Sequence, residues 1–153
     1  MISGPCEILL VEDNPDDVEL ALHAFRKHKL TNRIVVARDG AEALEFLLGK
    51  DSEVVGRSQD VPRVILLDLK LPKVDGLEVL KAIKTDGRTR TIPVVIMTSS
   101  QEQRDVVDSY HLGVNSYVVK PVEFDHFSKA VSDLGCYWVL LNHSPGPPLS
   151  LEG

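Results

Sequence analysis

The chain has 153 residues, 43% of them hydrophobic and 26% charged, with a formal charge of −6. That length suits one domain with a substantial core, and the acidic balance argues against a nucleic-acid-binding surface, which needs clustered basic residues. No apolar run reaches membrane-spanning length, residues 1–7 lack the charged and apolar regions of a signal peptide, and two cysteines, Cys6 and Cys136, are too few for a disulfide framework.

A soluble cytoplasmic protein is therefore expected, with both cysteines as buried free thiols. The first predicted strand is Ile8–Val11, and Glu12-Asp13 follows it. Asn14-Pro15-Asp16-Asp17 then supplies a helix cap, a first-turn proline and acids for the helix dipole, ahead of a stripe of Val18, Ala21, Leu22 and Phe25. Ile34–Ala37 is a second strand, and Asp39 starts a helix carrying Ala41, Leu44, Leu47 and Leu48. A polar loop from Gly49 to Val61 is long enough to be mobile or to face a partner. The third strand, Val64–Leu67, ends on Asp68, and the turn Leu71-Pro72-Lys73-Val74-Asp75-Gly76 leads into a helix with Val79, Leu80 and Ile83.

Val94–Met97 is the fourth strand, running into Thr98, Ser99 and Ser100. Either serine is expected to cap a fourth helix, whose stripe of Val106, Val107 and Tyr110 is the weakest in the chain. Tyr117–Val119 is the fifth strand and ends at Lys120-Pro121, and Pro121-Val122 opens a longer fifth helix. Phe124, Phe127, Val131, Leu134, Trp138 and Leu141 form its seam. From Val122 to Asn142 that helix would be about 30 Å long at the standard rise. Beyond Gly135 the run CYWVLLN is apolar nearly all round and needs a cover, so Tyr137, Trp138, Leu140 and Leu141 are expected to form a partner or self-association surface.

The strands are continuous apolar runs, the pattern of a parallel sheet buried on both faces. Five strand–helix alternations predict an α/β, flavodoxin-like, doubly wound (βα)5 three-layer sandwich with strand order 2-1-3-4-5. One domain over residues 1–142 is expected, with 143–153 a disordered tail rich in proline and glycine.

That topology brings the ends of strands 1 and 3 together, so Glu12, Asp13 and Asp68 converge on one rim. Each acid alone reads as a cap or a solvated turn, but three like charges so close need a proton or a cation. Hard oxygen ligands in a partly solvated site suit Mg2+, which keeps waters for an incoming phosphate. Thr98 adds a hydroxyl and Lys120 an ammonium, completing a set suited to phosphoryl transfer in which an aspartate is the nucleophile. Five histidines (23, 28, 111, 126, 143) show no ligand or triad spacing, and the P-loop and dinucleotide fingerprints are absent.

The stretches ILLVEDN (8–14), LLDLKLPKVDG (66–76), VVIMTSS (94–100) and YVVKP (117–121) together resemble the receiver domain of two-component response regulators. The resemblance implies that Asp68 accepts a phosphoryl group from a histidine kinase. Asp13, Asp68 and the Lys70 backbone carbonyl then hold Mg2+, with Glu12 orienting coordinated water. Glu12 stands where many receivers have Asp, which leaves its direct ligation open. Thr98 and Lys120 contact the phosphoryl group, the Lys120-Pro121 bond is cis, and Tyr117 is the switch aromatic that turns inward as Thr98 moves. The surface of helix 4, strand 5 and helix 5 changes in consequence.

The polar loop and the aromatic fifth helix look like the small stand-alone response regulators paired with bacterial phytochromes. A phytochrome-like kinase and a phosphorylation-sensitive homodimer are thus the expected partners, with the message passed by contact. The implied activity is not that of an enzyme, beyond its own phosphorylation and dephosphorylation. Two alternatives stand beside it: a receiver-like module that works without phosphate, and an Mg-dependent phosphatase of the haloacid dehalogenase type. The phosphatase needs a second Asp two residues after the nucleophile, where this chain has Lys70.

Overall fold

The computed structural model describes residues 7–27, 34–49, 62–120 and 123–143. Cys6, His28, loop residues 50–61, the Lys120-Pro121 bond, the Pro121-Val122 helix start and residues 144–153 lie outside the described residues, as do the side chains of Phe124 and Leu140.

Five parallel strands form one sheet in the order β2-β1-β3-β4-β5: β1 (Ile8–Val11), β2 (Ile34–Ala37), β3 (Val64–Leu67), β4 (Val94–Thr98) and β5 (Ser116–Val119). Helices alternate with them: α1 (Pro15–Lys27), α2 (Gly40–Leu48), α3 (Gly76–Thr85), α4 (Gln103–His111) and α5 (Phe124–Gly135). This is the flavodoxin-like architecture expected. Side chains alternate across a strand, so each strand feeds two cores. Leu9, Val11, Ile65, Leu67, Val94 and Ile96 meet Ala43 and Leu47 of α2 and Val79, Leu80 and Ile83 of α3. On the other face Ile8, Leu10, Val64, Leu66, Val95 and Met97 meet Val18, Ala21, Ala24 and Phe25 of α1 and Phe127 and Val131 of α5.

Three expectations need correction. β1, β3 and β4 are buried throughout, but β2 and β5 are the sheet edges and are only half-buried, with Val119 exposed. A continuous apolar run does not tell a central strand from an edge one. The fourth helix starts at Gln103 with Glu102 as its N-cap, not at Ser99 or Ser100; Ser100 braces the turn ahead of it, its hydroxyl donating to Asp105 Oδ2 at 2.5 Å while its Oγ accepts from the Glu102 N–H at 3.4 Å. Cys136 is free but half-buried rather than buried.

The last helix also departs from a regular α-helix. From Cys136 to Leu141 the backbone is a π-helix, closed by the Asn142 N–H on the Tyr137 carbonyl at 2.6 Å. A π-turn holds more residues than an α-turn, so the apolar phase slips. Phe127 and Val131 lie on the buried seam as expected, but Val139 continues it, Trp138 is half-buried and Leu141 is 75% exposed. Arg63, at the start of β3, donates from Nη1 to the Val139 carbonyl at 3.1 Å and so fastens this segment to the sheet.

Local chemistry accounts for the other helix ends. Asn14 Oδ1 accepts from the Asp16 N–H at 2.9 Å and the Asp17 N–H at 3.3 Å, and Asp39 Oδ1 accepts from the Glu42 N–H at 2.7 Å. α4 stops where Gly113 takes φ +98°: the Gly113 N–H reaches the Tyr110 carbonyl and the Val114 N–H the Ser109 carbonyl, both at 3.1 Å. That pair of bonds is a Schellman closure, for which a glycine is the cheapest residue.

Candidate functional site

Strand register builds the site. Val11 pairs with Leu67, so Glu12 and Asp68 leave neighbouring strands side by side. Backbone bonds fix both residues: the Asp68 N–H donates to the Val11 carbonyl and the Glu12 N–H to the Ala37 carbonyl, each at 3.0 Å. Thr98 pairs with Val119, and the Lys120 N–H donates to the Thr98 carbonyl at 2.7 Å, which carries Lys120 to the same rim.

Glu12, Asp68 and Thr98 are buried, while Asp13 is exposed at the mouth. Carboxylate oxygens of Glu12, Asp13 and Asp68 all lie within 4.8 Å of one another. Clustered hard oxygen donors, one of them open to solvent, fit a divalent cation such as Mg2+. Asp13 and Lys70 also line an open depression with Leu71, Asp75, Glu102 and Asp105. The Lys70 N–H donates to Asp68 Oδ1 at 3.2 Å, which leaves Oδ2 facing the ammonium.

Lys120 stands at the centre. Its Nζ donates to Asp68 Oδ2 at 2.8 Å, to Asp17 Oδ2 at 2.9 Å and to Glu12 Oε1. Lys120 also lines a crevice with Ala21, Met97, Phe127 and Val131. Asp17 was placed by the sequence only as a first-turn helix acid. Asp16 is a first-turn acid too, and nothing in the sequence marks which of the two reaches the rim.

Three carboxylates around one ammonium cannot all be ionised cheaply. Burial above all pushes Glu12 from 4.5 to about 7; the neighbouring Asp68 adds to this and the Lys120 hydrogen bond opposes it. Burial pushes Asp68 up too, but the Lys120 hydrogen bond and charge, the Thr98 hydroxyl and the Lys70 N–H outweigh it and hold Asp68 below the usual carboxylate range. Lys120 is disfavoured by burial yet ends above the ordinary lysine range because the acids around it prevail. Both partners of the Glu12–Lys120 contact thus move up: the ammonium keeps its charge, and the buried Glu12 binds a proton of its own more readily than an ordinary carboxylate does. An ionised Asp68 beside a hydroxyl and an ammonium is a poised nucleophile.

The hydroxyl of Tyr117 donates to the Ser100 carbonyl at 3.0 Å, and its half-buried ring packs against the α2–α3 core. Burial raises the Tyr117 hydroxyl pKa, so the group remains a donor. Lys73, in the β3–α3 loop, adopts φ +68°, and the Val74 N–H closes a tight turn onto the Pro72 carbonyl at 2.8 Å. Such a conformation is strained for a residue with a side chain, and strain of this kind gathers near functional sites. Away from this rim, Tyr137 is about half exposed and stacks edge-on with Trp138 at 5.0 Å.

Residues 8–132 match the family described as the response regulator receiver domain. A probable methanogenesis regulatory protein of Methanothrix harundinacea, FilR2, is 46% identical over 94% of this chain and 90% of its own length. Among solved structures, the Mn2+-bound form of response regulator Rcp1, a protein of Synechocystis, superposes with TM-score 0.82 at 36% identity over 93% of this chain and all of its own. The bacteriophytochrome response regulator AtBRR is 57% identical, with TM-score 0.67, over 92% of this chain and all of its own.

Proposed function

We propose, for a chain that belongs to the response regulator receiver domain family, that Asp68 is the phosphoacceptor of a stand-alone regulator fed by a histidine kinase. The observation that carries this reading is the buried Asp68, set 2.8 Å from the Lys120 ammonium within a cluster of three acids. The chain's match to Rcp1, which spans 90% of that protein, supports the stand-alone form. The likeness to AtBRR supports a phytochrome-like kinase as the donor.

In the transfer, a carboxylate oxygen of Asp68 attacks the phosphorus of a phosphohistidine. An O–P bond forms as the N–P bond breaks, and the imidazole nitrogen keeps the bonding pair and takes up a proton. Lys120 and the Thr98 hydroxyl hold the transferring oxygens and offset their charge. Asp13, Asp68 and the Lys70 carbonyl would hold Mg2+, with Glu12 reaching it directly or through water, and the ion supplies positive charge against the phosphoryl oxygens.

A new phosphoryl charge draws on Thr98 and, through Ser100 and Tyr117, resets the α4–β5–α5 face. That face exposes Val107, Tyr110 and Val119, and the Tyr137 to Leu141 segment follows it. It serves a second copy of the chain in a phosphorylation-sensitive dimer, with Tyr137, Trp138, Leu140 and Leu141 at its margin. The receiver unit spans residues 1–142 and acts in the cytoplasm, without nucleic acid or membrane. Among the described residues no helix is long and apolar enough to cross a membrane.

Treatment with acetyl phosphate and Mg2+, followed by intact mass, tests the reading. One phosphoryl group is expected on the wild type and none on Asp68→Asn. A gain that survives the substitution removes Asp68 from its role. Solution mass at low micromolar concentration tests the dimer, and a monomer both with and without phosphate refutes it.

A further inference from the structure

We propose that Asp17 is a positioning residue, a tether from α1 that keeps the Lys120 ammonium in the site while its other two acceptors change partners. The proposal rests on the phosphoacceptor reading above. An ammonium has three donors and no more. All three are spoken for, by Glu12, Asp17 and Asp68.

These acceptors differ in what the reaction does to them. Asp68 Oδ2, at 2.8 Å from Nζ, belongs to the carboxylate that becomes an acyl phosphate; esterified, it loses its charge and most of its strength as an acceptor. Glu12 shares the tight acid cluster with Asp13 and Asp68, so it is drawn on by any cation held there. Asp17 does not belong to that cluster and takes no phosphoryl group. It is the one acceptor whose charge and place persist through the cycle.

Its backbone is well held. Asp17 lies in the first turn of α1, where its N–H is capped by Asn14 Oδ1 at 3.3 Å and the helix dipole favours a negative side chain. Val18, next in the chain, is completely buried, and Ala21 one turn on is 2% exposed. The carboxylate therefore reaches, from a fixed point, the ammonium at the end of a long, flexible lysine side chain. Without it, a side chain with four rotatable bonds must be ordered by partners that are themselves leaving.

Two measurements on the full chain test the tether. In the first, phosphorylation by acetyl phosphate at saturating Mg2+ is timed for wild type, Asp17→Asn and Asp17→Glu, and Mg2+ affinity is titrated for each. Asp17→Asn should slow the reaction about tenfold, the scale of one lost charge-assisted contact to a positioned group, while shifting Mg2+ affinity by less than about threefold. Asp17→Glu should recover most of the rate. An Asp17→Asn rate within twofold of wild type overturns the proposal. So does a loss of Mg2+ affinity in step with the rate, which would make Asp17 part of the metal site.

The second measurement needs neither metal nor phosphate: urea unfolding in EDTA of wild type, Asp17→Asn, Lys120→Met and the double variant. Asp17→Asn should destabilise the chain when Lys120 is present and be neutral or stabilising when it is not. Equal losses in both backgrounds overturn the tether. A wild type that takes no phosphoryl group, alongside a coupled cycle in EDTA, overturns the phosphoacceptor reading and leaves the Asp17–Lys120 contact standing.

Discussion

Gly76 opens α3 beneath the Asp68 end of β3 and is buried. A methyl group at Gly76 would lie 2.4 Å from both the Asp68 carbonyl oxygen and Leu69 Cα, and 2.7 Å from the Leu69 carbonyl oxygen. Carbon atoms pack at about 3.5 Å or more, so the shortfall is about 1 Å, and every atom met is backbone. Two effects compete in Gly76→Ala. Alanine gains about 1 kcal/mol over glycine in a helix. Overpacking costs about 1–3 kcal/mol, and the Gly76 N–H bond to the Leu69 carbonyl, 2.8 Å long, is strained for about 1 kcal/mol more. The clash wins, leaving a net loss of about 1–3 kcal/mol and a melting temperature lower by about 2–12 °C. Gly87 provides the control: nothing lies within 4 Å of a methyl group there, so Gly87→Ala should be neutral or stabilise by up to about 1 kcal/mol. Thermal unfolding of both variants is the assay. Because the displaced atoms belong to Asp68 and Leu69, Gly76→Ala should also lose phosphoryl uptake beyond its loss of folded chain. A Gly76→Ala variant that melts at or above wild type refutes the steric argument.

Two buried hydroxyls should respond with opposite signs. Thr89 Oγ1 donates to the Ile83 carbonyl at 2.7 Å, so Thr89→Val should cost about 1–2 kcal/mol in urea unfolding. The Ser132 hydroxyl has no partner among the described residues, so Ser132→Ala should be neutral or stabilise by up to about 1 kcal/mol; a clear loss would reveal a hidden partner. In EDTA, the raised pKa of Glu12 makes the folded chain hold a proton that the unfolded chain releases near 4.5. Its contribution to stability is therefore complete below pH 4.5 and is lost as pH rises to about 7. The stability of wild type relative to Glu12→Gln should fall across that window; a difference that stays level or grows refutes the assignment of the proton to Glu12.

The fold was readable because its signals are local and repeated. Ile8–Val11 and Val64–Leu67 stand out as apolar runs without helical spacing, and Asn14-Pro15 and Asp39 announce helix starts by side-chain chemistry that tertiary structure leaves intact. What failed depended on neighbours. The half-burial of β2 and β5 follows from strand order, not from their own residues. Ser100 looked like a cap, but the helix begins two residues later, at the N-cap Glu102, and Ser100 instead joins Asp105 of the first turn. The π-turn at Cys136–Leu141 has no side-chain signature, and through it Val139 rather than Leu141 reached the core.

The site divides along the same line. Glu12, Asp68, Thr98 and Lys120 each follow directly on a strand or end it, so predicting the strands located the residues. Which charge answers which is a different question, because it is settled by distances of about an ångström. An ammonium at 2.8 Å from Asp68 and 2.9 Å from Asp17 is shared almost evenly between a strand end and a helix turn. No spacing rule separates Asp17 from Asp16, one residue earlier, since both are first-turn acids that the helix dipole favours equally. The difference is angular. Successive helix residues point about 100° apart, so the direction in which α1 enters decides which of the two acids overhangs the rim. That direction is set by Val18, Ala21 and Phe25 packing on the sheet. The electrostatics of the nucleophile thus depend on an apolar contact surface, and a core substitution in α1 that rotates the helix should disturb Lys120 as surely as removing Asp17.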